Sequence, residues 1–238
     1  MQDKILVGFL FFLIILLVIL GDYIHVLKTQ RDIDYLNTHS RISKSKLTIL
    51  IEVDRNSLSL IDRENEQVIR KYPIASGKPK SPTPLGSFKI REKESWGEGF
   101  GSRWIGLNVP WGKYGIHGTN QPGSIGGNVS AGCIRMRNND VEDLFDLISK
   151  NTNVLITKGN YGPFGSGFRI LKPGDRGADV LEVQKRLKQK KFYSGELDGI
   201  YGEDMKRSLI NFLKKKKIEL TDQITEDIYK ELGIILME

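Results

Sequence analysis

Three runs of β-branched and apolar residues, parted by two turn-forming clusters, constrain this chain more than any other feature. Leu47 to Val53 reads Leu-Thr-Ile-Leu-Ile-Glu-Val, Asp54-Arg55-Asn56 turns, and Ser57 to Ile61 alternates with a period of two. Asp62 to Glu66 turns again, and Gln67 to Ala75 is a third run. Strand formers at this spacing, with turns too short for a crossover helix, predict an antiparallel β-meander.

The following residues extend that pattern. Ser76 to Gly86 carries Pro79, Pro82 and Pro84 and is read as a loop. Ser87 to Ile90 is a short strand, Glu92 to Arg103 a charged, glycine-rich loop, and Trp104 to Val109 a further strand. Trp96 and Phe100 lie in that loop, either as a substrate flap or as anchors to the core. Pro110-Trp111-Gly112 turns into a strand from Tyr114 to His117. Beyond a Gly/Ser-rich loop, Ile134 and Met136 share one strand face, with Cys133 and Arg135 on the other. Asn138-Asn139 is expected to cap a helix whose Val141, Leu144, Phe145 and Ile148 form one apolar stripe. Asn153 to Thr157 is a last strand. The domain from 46 to 158 is thus mainly β with one helix.

Residues 159–168 hold four glycines and Pro163 and read as a linker. From 169 to 238 the pattern is helical. Val180, Val183 and Leu187 mark one helix, Met205, Leu209, Phe212 and Leu213 a second, and Ile224, Ile228 and Leu232 a third, which makes a small all-α bundle. At the other end, Ile5 to Leu20 is an unbroken apolar run behind Lys4, with no Ala-x-Ala-like cleavage site after it. Residues 1–27 are therefore expected to be an uncleaved transmembrane signal anchor, with residues 28–45 a juxtamembrane spacer and the body of the protein outside the membrane.

Net charge is +7, and the window from Lys185 to Lys217 alone sets eleven Lys/Arg against four carboxylates. Such a window either meets an anionic polymer or membrane surface or is a solvated helix face. No nucleic-acid partner is read from it. His25 and His39 have no Cys, His or carboxylate neighbours at ligand spacing, so no metal or other cofactor is expected.

The chemistry is concentrated between Tyr114 and Arg137. That stretch holds Cys133, the only cysteine, and His117, the only histidine beyond the first 45 residues. A thiol attacks as its thiolate, and an imidazole can take its proton. A lone cysteine is otherwise a small buried hydrophobe, and a strand histidine a hydrogen-bonded core residue. Against that reading stand Gly132 beside Cys133, the loop-to-strand junction that could aim the amides of Gly132, Cys133 and Ile134 at one point, and Arg135, whose charge would lower the thiol pKa. A backbone carbonyl such as that of Gly118 could hold the imidazole Nδ1–H.

His117-Gly118-Thr119, Ile125-Gly126 and Ser130-x-Gly132-Cys133-Ile134-Arg135-Met136, preceded by Pro82-Thr83-Pro84-Leu85-Gly86-Ser87-Phe88, resemble the signature of the L,D-transpeptidase (YkuD-type) catalytic domain. The resemblance covers about residues 47 to 158. It implies a β-sandwich-like fold, an acylated cysteine at Cys133, His117 as general base and acid, and the Gly118 carbonyl as the group orienting His117. The family commonly has a second histidine where this chain has Ala131, which leaves one imidazole beside Cys133. Residues 171–177, 183–187 and 197–202 resemble a helical peptidoglycan-binding module, although the glutamine usual after the phenylalanine is absent at Phe212-Leu213.

By this resemblance the reaction is peptidoglycan transpeptidation. The Cys133 thiolate would attack the third residue of a stem tetrapeptide, backbone amides near Gly132 and Cys133 would hold the oxyanion, and an amine from a neighbouring stem would give a 3→3 crosslink. Ser130, Gly132 and Arg135 are expected to shape the substrate site, with Arg135 pairing a substrate carboxylate. The implied partners are the stem peptides and glycan of the bacterial wall and, through the N-terminal run, the plasma membrane. Two alternatives stay open: an L,D-carboxypeptidase using water as acceptor, and a non-catalytic wall-binding protein whose site has decayed.

Overall fold

The structure is a computed structural model that describes residues 16, 19–29, 44–95, 97 and 101–236. It falls into two compact units, Met1–Ser43 and Lys44–Glu238. In the first, residues 19–29 are helical, and Ile19, Leu20, Tyr23, Ile24, Val26 and Leu27 are all exposed. Most of the Ile5–Leu20 run, and with it most of the expected membrane span, lies outside the described residues. Among the described residues no helix is long and apolar enough to cross a membrane.

The second unit opens with the expected meander. Strands β1 (Leu47–Glu52), β2 (Ser57–Asp62) and β3 (Gln67–Pro73) pair antiparallel. The alternation of β1 buries Leu47, Ile49 and Ile51. After β4 (Ser76–Gly77) come β5 (Gly86–Ser95), β6 (Arg103–Leu107), β7 (Tyr114–Gly118), β8 (Asn128–Ser130) and β9 (Ile134–Met136), then helix α1 (Asn138–Leu147) and β10 (Asn153–Thr157). Eight of these strands form one sheet in the order β3-β2-β1-β10-β5-β6-β7-β9, and β4 and β8 pair separately. Two neighbours in the large sheet are parallel, β1 with β10 and β7 with β9.

The sheet bends back until its two ends meet. Ala75, just past β3, and Arg135, in β9, exchange backbone hydrogen bonds of 2.9 Å in each direction. The coarse expectation of a β-rich domain beside a helical one holds, but the layout is one nearly closed sheet rather than two stacked sheets. The bend falls in β5, which pairs with β10 through residues 86–89 and with β6 through residues 90–95, with an irregularity between Ile90 and Glu92.

β5 also corrects the expected loop from Glu92 to Arg103. The strand runs on to Ser95 because its polar side chains find partners across the sheet and below it. Glu92 Oε1 accepts from Trp104 Nε1 at 2.9 Å, and Lys93 Nζ donates to the Phe145 and Ile148 carbonyls at the end of α1. Trp96 and Phe100 lie outside the described residues.

The helical part contains α2 (Ala178–Gln189), α3 (Glu203–Lys216) and α4 (Glu226–Glu231) around a core that includes Val183, Leu187, Met205, Leu209, Phe212 and Ile228. Gln184, fully buried in α2, fixes the loop that follows. Its Nε2 donates to Asp198 Oδ1 and the Ile200 carbonyl, and its Oε1 accepts from Gly199 N at 2.8 Å. Burying an amide this deeply is tolerable only because all these bonds are made. In the glycine-rich segment 159–168, Phe168 stacks on Tyr229 with ring centroids 4.2 Å apart, and Phe164 meets both rings edge-on.

Candidate active site

The site is built where β7 and β9 run side by side. Ile116 pairs with Ile134 and His117 with Arg135, so Gly115 stands beside Cys133 one step back along each strand. Alternation then sorts the side chains. Ile116, Ile134 and Met136 enter the core with no exposed surface, while His117, Cys133 and Arg135 share the opposite face. A parallel pair needs a long connection between its strands. Residues 119–133 supply it, through a 3₁₀ turn at Pro122–Ser124 and through β8.

His117 is 5% exposed. Its Nδ1 lies 2.6 Å from the Gly118 carbonyl oxygen. A carbonyl only accepts, so Nδ1 carries the proton, and in the neutral ring the lone pair is on Nε2. The Trp104 indole lies alongside the imidazole, with centroids 5.9 Å apart. Gly118 itself is held tightly, since a Cβ there would overlap Asn138 Oδ1 and stand 3.0 Å from Ser102 N. That same Asn138 oxygen accepts from Ser102 N at 3.3 Å. Asn138 is therefore not the cap expected from its sequence. It is the first residue of α1, the cap position is Arg137, and the amide oxygen turns instead to the Ser102 N–H, close beside Gly118.

Cys133 is half-buried. Burial pushes its thiol above the ordinary cysteine range, and the Gly115 backbone N–H and the Arg135 guanidinium pull the other way without cancelling that rise. The expected lowering by Arg135 is thus present but outweighed. At neutral pH the resting group is a neutral thiol, which requires a base before it can attack.

Ser130, 1% exposed, fastens the turn that presents the thiol. Its Oγ donates to the Cys133 carbonyl at 2.6 Å and accepts from Gly132 N at 3.0 Å. The Gly132 amide, one of those expected near the oxyanion, is thus already bonded to Ser130 Oγ. Gly132 has φ of +117°, and a Cβ there would come within 2.7 Å of the Tyr114 ring and 3.2 Å of the Pro82 carbonyl. Only glycine fits both demands. Pro82 belongs to the Pro-Thr-Pro motif, whose Thr83 Oγ1 accepts from Gly77 N at 2.9 Å and ties the loop to β4. Ala131 is exposed at the lip.

The structure therefore brings His117, Gly118, Ser130, Gly132, Cys133 and Arg135 together around one strand pair. Sequence reasoning missed Asn138, Trp104 and Tyr114. The Ser130 contact had a local signal, since a serine two residues before a glycine amide commonly accepts from it. Among the described residues no group of His, Cys, Asp or Glu side chains is placed to hold a metal ion. The arrangement suits acyl transfer, with a half-buried thiol, a histidine held in one tautomer and an adjacent guanidinium.

Comparison with known proteins agrees with this chemistry. Residues 48–156 match the model of the L,D-transpeptidase catalytic domain, and residues 176–225 match that of a candidate peptidoglycan-binding domain. The chain is 39% identical over 129 residues to YqjB of Bacillus subtilis, a candidate L,D-transpeptidase, covering 47% of this chain and 72% of that protein. It is 44% identical over 108 residues to YkuD of Bacillus licheniformis and 45% identical over 95 residues to YkuD of Bacillus subtilis, both named as candidate L,D-transpeptidases. Those two alignments cover 45% and 40% of this chain and span 64% and 57% of the relatives' lengths.

Proposed function

From the premise that this chain belongs to the L,D-transpeptidase family, we propose that it crosslinks peptidoglycan stem peptides through a thioester on Cys133. The observation that carries the reading is the 2.6 Å contact between His117 Nδ1 and the Gly118 carbonyl, which leaves Nε2 as the basic nitrogen on the face shared with Cys133.

In the first half-reaction His117 takes the thiol proton as sulfur attacks the carbonyl of the third stem residue. The C–S bond forms, the oxygen takes the electron pair, and the tetrahedral species collapses by breaking the C–N bond to the terminal D-alanine. His117 returns its proton to that amine. In the second half an amine of a neighbouring stem attacks the thioester, His117 takes the proton the amine sheds, and the C–S bond breaks. The sulfur leaves as thiolate and is reprotonated by His117. Arg135 pairs with a substrate carboxylate, and Ser130 and Gly132 fix the turn on which the sulfur rides. An oxyanion donor is commonly worth about 3 kcal/mol. With Gly132 N committed to Ser130, the donors are other amides of the turn.

The same reading places the enzyme at the cell membrane with its catalytic and wall-binding parts outside. It is supported by the apolar run from Ile5 to Leu20 and by the exposed apolar side chains of residues 19–27. The helical domain would hold the enzyme to the wall polymer.

The deciding experiment incubates the full chain in detergent with tetrapeptide muropeptides and separates the products by mass. Dimers joined 3→3 are expected. Tripeptide monomers alone would replace the transpeptidase with a carboxypeptidase. No D-alanine release, together with no Cys133 adduct after carbapenem exposure, would leave a wall-binding protein.

A further inference from the structure

The helical domain touches the catalytic domain at Trp111 and at Gly86. Gly199, at φ +68°, lies so close to Trp111 that a Cβ there would overlap the indole, and that Cβ would also meet the Gly177 carbonyl at 3.0 Å. Trp111 is 5% exposed and packs edge-on against Phe88, centroids 5.8 Å apart. A second contact joins Ala178 to Gly86, 3.9 Å from the Ala178 Cβ to the position a Cβ of Gly86 would take. Both contacts reach elements that flank Gly132. Gly86 ends the loop whose Pro82 carbonyl faces it, and Trp111 lies three residues before Tyr114, whose ring covers it.

Between these contacts sits Arg176. Its backbone bridges to Ile200, its carbonyl accepts from Arg169 Nη2 at 3.1 Å, and the neighbouring Gly177 N donates to the Gly199 carbonyl at 3.0 Å. The main chain is pinned while the side chain is exposed, and no carboxylate among the described residues pairs with it. Arg169, by contrast, is committed to Asp175 and Asp179. The Arg176 charge opposes the rise of the Tyr114 phenol, which burial and then Cys133 push up.

We propose that Arg176 of the helical domain is a substrate-binding residue of the Cys133 site, its guanidinium taking a carboxylate of the stem peptide on the glycan side of the residue that Cys133 acylates. This rests on the transpeptidase reading and adds to it that the helical domain forms part of the active-site rim. Arg135, next to the sulfur, takes the terminal carboxylate, and Arg176 takes the more distant one. A guanidinium at the end of a pinned main chain suits a planar carboxylate, which it can grip through two parallel bonds.

Binding is measured by calorimetry on the full chain carrying Cys133→Ala, with stem tetrapeptides whose glycan-side carboxylate is free or amidated. Arg176→Gln is expected to weaken the free-carboxylate peptide about tenfold, to leave the amidated one unchanged, and to be partly rescued by Arg176→Lys. Equal affinities for the free peptide with and without Arg176→Gln, or the same loss with the amidated peptide, would overturn the inference. Turnover of the unaltered chain is read in parallel. Binding that depends on Arg176 without turnover removes the transpeptidase reading and keeps Arg176. Turnover with no Arg176 dependence does the reverse, and no binding removes both.

Discussion

His117 donates its Nδ1 proton to the carbonyl of Gly118 across 2.6 Å. This single bond leaves the ring's lone pair on Nε2, and it does so through main chain rather than through a carboxylate. His117→Asn retains an amide donor for the Gly118 carbonyl but has no group that titrates. D-alanine release from a tetrapeptide should fall by about 10²–10⁴-fold, with the thermal unfolding midpoint little changed. A loss smaller than tenfold would remove His117 from the role of base.

The half-buried thiol gives a pH dependence of fixed sign. Burial raises the Cys133 pKa in the folded chain, so an unfolded chain sheds this proton first as pH climbs. The contribution to stability is complete below the unfolded thiol's pKa and is lost as pH rises through the folded one. Urea unfolding of wild type and Cys133→Ser across that window should show wild type losing more stability. Alkylation of Cys133 by iodoacetamide should have its midpoint above that of a free cysteine, and Arg135→Gln should move it higher still. A midpoint at or below the free-cysteine value would show that the Gly115 amide and Arg135 outweigh burial.

Ser130→Ala removes two bonds from one buried oxygen, that to the Cys133 carbonyl and that from Gly132 N. Leaving those groups unpaired costs about 1–3 kcal/mol each, so the unfolding midpoint should drop. The rate of Cys133 acylation by a carbapenem should fall as well, because the turn that aims the sulfur loosens. Ser130→Thr keeps the oxygen and should recover part of that rate. Unchanged acylation in Ser130→Ala would confine the residue to stability alone.

Gly199→Ala places a methyl group against Trp111 at a position whose φ of +68° already disfavours a side chain. The helical domain should lift from the catalytic one while each keeps its own core. Trp111 emission should shift to the red, and protease cleavage within 159–168 should accelerate. If neither changes, the contact between the two domains is not held by the fit of Gly199 to Trp111.

Much of this arrangement was legible in the sequence because it rests on local periodicity. The meander from Leu47 to Ala75, the sorting of Ile134 and Met136 from Cys133 and Arg135, and the apolar stripes of α2 and α3 all follow from spacing alone. The hidden parts depend on distant partners. Glu92 to Ser95 is polar on both faces and becomes a strand only because Trp104 and the end of α1 receive its side chains. Asn138 looks like a cap until Gly118 and Ser102 arrive beside it. The thiol's position on the pH scale depends on how deeply it is covered, and a string of residues carries no depth. The expected transmembrane span and the aromatic pair Trp96 and Phe100 lie wholly or mostly outside the described residues.

The parallel pairing of β1 with β10 joins the two ends of the catalytic domain. Leu50 lies beside Leu155, so the first strand of the meander gains its far neighbour only after almost the whole domain has been made. Contacts that span such a length of chain form late and slowly. The site segment from Tyr114 to Met136 is enclosed, in chain order, by a pairing of the domain's first and last strands.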